Sequence, residues 1–233
     1  MKRLVIFALL AGCGGAGTVE LDDLGAELAR ASCAKQFECC TDAELMQQYM
    51  GITVDGEPIT TEAQCVEFGN ALLSGLAVPQ YRDSLAKGRI DYDGAAAADC
   101  IAAIDRLTCA QYASGQAGDE ALGCRPFIIP KVGAGGGCTQ DGECTSGNCV
   151  GATVQPDGPD TDGMCQPMPT AGQACTGDCA DGLFCGFDQT SGARVCQPTR
   201  ADGMPCTLDR ECASDHCDDT DTCAPEPPTC DGR

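Results

Sequence analysis

Apolar residues recur at helical spacing through the first half of the chain and lose that period in the second. Leu21, Leu24, Leu28 and Ala31 fall three or four residues apart, which predicts a helix over 19–39 with Glu20, Asp22 and Asp23 in its first turn. Thr41-Asp42-Ala43-Glu44 has the Thr-x-x-Glu form of a capping box and opens a short helix to about Met50. Gly51 to Pro58 reads as a loop around an Asp55-Gly56 turn. A second capping box, Thr61-Glu62-Ala63-Gln64, opens a helix to about Leu76 with Cys65, Phe68, Leu72 and Leu76 along one side. Asp93 then caps an Ala-rich helix over 94–113 whose inner face is Ile101, Ile104 and Leu107. The expected fold is a small α-helical bundle over 19–124, followed by disulfide-rich modules of loop and short β-structure. Residues 125–137, with the run Gly133 to Gly137, read as the linker between them.

The first residues carry a different signal. Lys2 and Arg3 precede an unbroken apolar run, Leu4 to Leu10, and then Leu10-Ala11-Gly12-Cys13. That run is too short to span a bilayer, so residues 1–12 read as a cleaved signal. The four residues ending at Cys13 resemble the lipobox of bacterial lipoproteins. The resemblance implies processing in front of Cys13, a diacylglyceryl group on its thiol, a tether over 13–18, and a membrane held through that lipid. Gly14 stands where enteric-type lipoproteins kept on the inner membrane carry Asp, so an outer-membrane placement is favoured over an inner one.

Cysteine spacing organises the rest. There are 21 cysteines, and setting Cys13 aside leaves an even number in a chain bound for an oxidising space, as a disulfide framework needs. Twelve fall into three sets: Cys138, Cys144, Cys149 and Cys165; Cys175, Cys179, Cys185 and Cys196; Cys206, Cys212, Cys217 and Cys223. Each set opens with Gly-x-x-Cys, at Gly135, Gly172 and Gly203, and Cys-Gln-Pro follows at Cys165 and again at Cys196. Such shared punctuation marks an internal repeat, with modules over 138–165, 175–196 and 206–223 and a tail over 224–233. Four cysteines allow three pairings; first-to-third with second-to-fourth is the preferred expectation, because short stapled knots commonly interleave their bridges.

The pattern G-x-x-C-x5-C-x4-C…C, from Gly135 to Cys165 and from Gly203 to Cys223, resembles the Dickkopf N-terminal type of cysteine-rich module, as found in myxobacterial-type lipoproteins. The run from Cys124-Arg125-Pro126-Phe127 into Gly133 to Cys138 resembles the junction of those proteins. The second module departs from the pattern, with three residues rather than five between Cys175 and Cys179. The resemblance implies an extracytoplasmic, non-catalytic role and transfers no functional residue.

The N-terminal half holds Cys33, Cys39, Cys40, Cys65, Cys100, Cys109 and Cys124, an odd set, and Cys230 stands alone beyond the third module. One N-terminal cysteine must therefore bond Cys230 if every thiol is oxidised, and Cys124 at the junction is the expected partner. Cys100 and Cys109 lie nine residues apart on the expected helix, about 13 Å along its axis, too far for a mutual bridge. The adjacent Cys39 and Cys40 are expected to bond outward to two different partners.

Charge narrows the partners. Residues 1–132 hold eighteen acids and ten bases, and 133–233 hold seventeen acids and four bases, so that −8 and −13 make up the net −21. This surface repels nucleic acid and anionic headgroups, leaving a protein or envelope partner of unknown identity. With six Phe, four Tyr and no Trp, the second half lacks the apolar area for a core and must rely on its bridges.

Candidate chemistry is sparse, and neither a catalytic residue, a metal ligand nor a cofactor is assigned. The single histidine, His216, lies in the third module and reads as a surface residue. Ser74 lacks the glycine two residues before it that a nucleophile elbow requires. There is no Cys-x-x-Cys, which argues against a thioredoxin-like or zinc-knuckle site. Asp157, Asp160, Asp162 and Asp218, Asp219, Asp221 are loose acidic loops without EF-hand spacing, since Gly158 and Pro169 would occupy ligand places. The function this supports is a membrane-anchored, non-catalytic structural or interaction scaffold; low-affinity calcium binding is the alternative, followed by a secreted hydrolase working through carboxylates alone.

Overall fold

Side-chain caps and close glycine contacts set the helical half. The computed structural model describes residues 17–114, 122–153, 161–188, 190–228 and 230. Helix α1 spans Leu24–Cys39. It starts later than its apolar period predicts because Val19 is held by tertiary bonds. The Val19 backbone N–H donates to the Gly94 carbonyl (3.0 Å), and its own carbonyl accepts from the Tyr92 hydroxyl (2.9 Å). Glu20, Asp22 and Asp23 therefore precede the helix instead of occupying its first turn. Only glycine permits this contact at residue 94, where a Cβ would lie 2.4 Å from the Val19 carbonyl oxygen.

Helix α2 spans Asp42–Gln48 behind the complete Thr41/Glu44 capping box. The two-residue strands β1, Thr53–Val54, and β2, Glu57–Pro58, then pair around Asp55 and Gly56, both with positive φ (51° and 83°) as a tight hairpin turn demands. Helix α3, Glu62–Leu72, carries the Thr61/Gln64 box. It does not stop at Leu76. A π-helical turn over Leu73–Ala77 carries the chain into α4, Val78–Ala86. Pro79 cannot donate to a carbonyl in the preceding turn, and the wider turn accommodates that loss. The extra residue also rotates the helix face. Leu72 and Leu76 are 48% and 61% exposed, while Val78 and Ser84 are buried, so the expected apolar side ends at Phe68.

The helix expected over 94–113 is two helices, α5 (Gly94–Arg106) and α6 (Cys109–Ala113). Leu107 turns extended, and Thr108 with Gln111 forms a third capping box that restarts the chain. Asp93 caps α5 by accepting from Ala95 and Ala96 (3.1 and 2.9 Å). Ile101 and Ile104 are buried as expected, with Ala31 of α1 against them. Helix α1 lies close on α3 and on the π-helical turn after it because its small residues meet small residues: a Cβ on Gly25 would sit 2.6 Å from Ser74 Oγ of that turn, and one on Gly69 of α3 would sit 3.0 Å from the Ala29 Cβ.

A pair of three-residue strands joins the halves. Strand β3, Ile90–Tyr92, pairs antiparallel with β4, Ile128–Pro130, which lies inside the segment read as a linker. The ladder continues past β4: Lys131 donates to the Arg89 carbonyl (2.9 Å), and Val132 donates to the Glu143 carbonyl (2.9 Å) while accepting from Thr145 (2.9 Å). Hydrogen bonds thus run unbroken from the helical half into the first cysteine set. The glycine run holds a turn and the start of β5, Gly137–Cys138.

The second half is short sheets and cystines. Strands β5, β6 (Cys149–Val150) and β7 (Gly163–Cys165) form one sheet in the order β5-β7-β6. Strands β8 (Leu183–Asp188) and β9 (Ala193–Pro198) form a hairpin. The repeated Gly-x-x-Cys has one conformation throughout. Gly135, Gly172 and Gly203 have φ of 82°, 79° and 84°, the third place of a turn that only glycine enters freely. Each of the three donates to the carbonyl of the fourth cysteine of its set, Cys165, Cys196 or Cys223, at 2.8, 2.8 and 2.7 Å.

Candidate functional site

The cysteines of each set close first-to-third and second-to-fourth. The pairs are Cys138–Cys149 and Cys144–Cys165, Cys175–Cys185 and Cys179–Cys196, and Cys206–Cys217 and Cys212–Cys223. Sulfurs of three cysteines crowd within 4.8 Å in each set; as cystines they offer no thiolate to a metal. In the helical half the pairs are Cys33–Cys65, Cys39–Cys109 and Cys100–Cys124. Cys230 bonds Cys40, not Cys124. Cys124 lies next to α5 and is taken by Cys100, whereas Cys40 follows α1 and is buried with Leu45 and Cys230. Cys39 and Cys40 do bond to different partners.

Two of the loop acids, Asp162 and Asp218, are engaged by the protein itself. Asp162 accepts from Arg89 (2.6 Å), and that hydrogen bond holds its carboxyl below the ordinary range. Asp218 accepts from the Thr220 hydroxyl (2.7 Å) and backbone N–H (2.8 Å) and from the Thr222 N–H (3.1 Å), an Asx-type turn that likewise lowers its pKa. Cys13, Asp157 and Asp160 lie outside the described residues. His216 is half-buried, and its backbone carbonyl accepts from the Ala224 N–H (3.1 Å).

The most buried polar group is Glu143, which is fully enclosed where the helical half meets the first module. Its carboxylate accepts from Ser84 Oγ of α4 (2.5 Å), from Thr139 N–H (2.7 Å) and Thr139 Oγ1 (3.0 Å), and from Arg89 (3.4 Å). Gln140 completes the set by donating to Ser84 Oγ (2.8 Å). Burial alone pushes the Glu143 pKa up; the bonds from Ser84 and Thr139 and the Arg89 charge outweigh it and hold the group ionised, below its ordinary value. A buried carboxylate so fully satisfied is a docking pin. It has no free lone pair aimed at solvent for chemistry.

Module 3 repeats the device. Glu211 accepts from Thr207 N–H (3.0 Å) and Oγ1 (3.1 Å) and pairs with Arg200 (3.0 Å), whose guanidinium also lies 5.8 Å from the Phe184 ring centroid of module 2. Asp141 and Asp209 likewise each accept from the third cysteine, Cys149 or Cys217, at 2.6 and 2.8 Å. The carrier of both is Cys-Thr-x-Asp-x-Glu-Cys, at 138–144 and 206–212, a signal that cysteine counting alone passed over.

Two clefts open between successive modules. One, of about 580 Å³, lies between modules 1 and 2 and is walled by Val150, Pro167, Met168 and Pro169. The other, of about 570 Å³, lies between modules 2 and 3 and takes in Arg194 and Arg210 together with Asp178, Asp181 and Asp215. Arg194 and Arg210 are two of only four bases in residues 133–233. Concave, solvent-open surfaces of mixed polarity on a cross-linked frame can bind a ligand without rearranging. Among the described residues no helix is long and apolar enough to cross a membrane. Comparison of the chain with family models, curated proteins and solved structures finds no match.

Proposed function

We propose that the protein is an exported lipoprotein, anchored to the cell envelope through acyl chains on Cys13, that works by binding and not by catalysis. The observation that carries this reading is parity. Of 21 cysteines, twenty are joined in ten disulfides, and the one left over is the cysteine that ends the lipobox-like run. A framework this completely oxidised belongs outside the reducing cytoplasm. The Dickkopf-like reading of the three cysteine sets and the outer-membrane placement are parts of the same proposal. An array of rigid modules with clefts between them suits recognition of an envelope or protein partner, and the net charge of −21 makes nucleic acid a poor one.

Intact-mass measurement of the protein extracted from its native membrane tests the anchor. The expected species begins at Cys13 and carries the added mass of acyl chains. A chain that retains residues 1–12 with an unmodified Cys13 overturns the reading.

A further inference from the structure

Modules 1 and 3 are an internal comparison. Both follow Cys-Thr-x-Asp-x-Glu-Cys-x-Ser-x-x-Cys, at 138–149 and 206–217. The same Thr–Glu and Asp–Cys hydrogen bonds recur at the same places, and in both the middle serine (Ser146, Ser214) buries its Oγ without a partner. Residues that this scaffold needs are therefore the shared ones. Five positions differ, and two of them exchange a glycine for a charged residue: Gly142 of module 1 is Arg210 in module 3, and Gly147 is Asp215. The second exchange is costly, because Gly147 has φ 68° and Asp215 keeps that left-handed conformation at φ 50°.

Both charged replacements line the 570 Å³ cleft toward module 2, facing Asp178, Asp181 and Arg194. Arg210 and the three aspartates are exposed and, among the described residues, form no ion pair with one another or with any other group. Arg194 is steadied by donating to the Cys185 carbonyl (3.2 Å) and also lacks a carboxylate partner. In a half with seventeen acids and four bases, two arginines without carboxylate partners in one cleft are not a random scatter. Charges of both signs held apart on a cystine frame are complementary to a ligand that carries both signs. The aspartates repel phosphate and sulfate, and the arginines repel polyamines.

We propose that the cleft between modules 2 and 3 binds a short peptide segment bearing both a carboxylate and an ammonium group, the carboxylate on Arg194 and Arg210 and the ammonium among Asp178, Asp181 and Asp215. This rests on the reading of the protein as a binder and names the ligand class for that role.

The test uses the full oxidised chain and a glutamate–alanine–lysine tripeptide capped at both ends, followed by amide chemical shifts in a titration. Two control peptides replace either the glutamate or the lysine by glutamine. The expected result is saturable shifts at Arg194, Arg210 and Asp215, with weaker binding of both controls. The double variant Arg210→Gly/Asp215→Gly installs the residues module 1 already tolerates, so its disulfides and remaining amide shifts should be unchanged. Its affinity for the tripeptide should fall about tenfold, as loss of two charged contacts in an open cleft implies. No shifts at these residues, equal binding by the double variant, or equal binding of a singly charged control each overturns the proposal. Failure here with an acylated Cys13 removes only the ligand class; peptide binding with an unmodified Cys13 removes only the anchor.

Discussion

Glu143→Gln should unpin the helical half from the first module. The substitution keeps shape and removes the charge from a group that receives four hydrogen bonds, from Ser84, Thr139 (two) and Arg89, with no solvent to take over. The new amide offers one acceptor where donors had two, so at least one of Ser84, Thr139 or Arg89 is left facing a donor. A hydrogen bond to a charged group contributes about 1.5–3 kcal/mol, and breaking a buried ionic set costs about 3–5 kcal/mol, so roughly 2–4 kcal/mol is the expected loss. Hydrogen exchange reads it locally. The Val132 and Thr145 amides close the ladder next to Glu143, and their protection should fall about 30-fold or more. Glu211→Gln is the matched control: its partners Thr207 and Arg200 both lie at the module 2–module 3 joint. It should expose only Arg200 and Ala213, which form the equivalent ladder there. Acid should imitate the first variant. Because Glu143 is held below its ordinary pKa in the fold, its contribution is complete above the unfolded-state value and is lost as pH falls through the lower, folded one. Opening at the junction should thus appear only in acid, and Glu143→Gln should lack that pH dependence. Unchanged protection at Val132 and Thr145, or an equal effect of Glu211→Gln on them, would refute the pinning.

Three further outcomes follow from the packing and the bridges. Cys230→Ser should leave Cys40 as a free thiol that alkylates after mild unfolding, and the segment beyond Cys223 should become protease-sensitive while the six module bridges map as before; retained resistance would show the tail needs no tie. Gly25→Ala places a Cβ against Ser74 Oγ and, at 3.0 Å, the Ser74 backbone nitrogen, so a loss of about 1–3 kcal/mol is expected in a denaturant melt of the helical half. Full reduction should abolish protease resistance over 133–223 while much of the helical circular dichroism persists, since bridges typically contribute about 2–4 kcal/mol each where little apolar area is buried; intact resistance would mean that packing suffices.

Local chemistry was legible in the chain and long-range pairing was not. The capping boxes at Thr41 and Thr61 form because their bonds span three residues, and the interleaved cystines follow from a repeat whose spacing is short. The same logic was available at Thr108-x-x-Gln111 and was masked by the alanine-rich run in front of it. Strands β3 and β4 are three residues each, too short for an alternation to declare itself, and they find one another across the intervening helices. The turn of phase after Leu72 depends on how Pro79 is accommodated, and periodicity carries straight through such a point. Parity demanded a tie between Cys230 and the helical half; which cysteine it reached depended on the packing of α1 against α6, where Cys39 takes Cys109 and leaves Cys40 facing the tail. The cleft residues Arg210 and Asp215 looked like ordinary surface charge until the hydrogen bonds of modules 1 and 3 showed which positions the scaffold leaves open.

The Cys40–Cys230 bond spans 190 residues and returns the end of the module array to the helical half. Its consequence is mechanical. A load applied to anything gripped by the modules reaches the helices by two covalent routes, one along the backbone through β4 and one through the tail and its cystine. Neither route alone bears the whole pull, and the internal cystines of each module keep either from paying out its full contour length. A chain closed this way resists shear as a closed strap does: tension on anything gripped by the modules tightens both limbs and leaves the clefts between modules in shape.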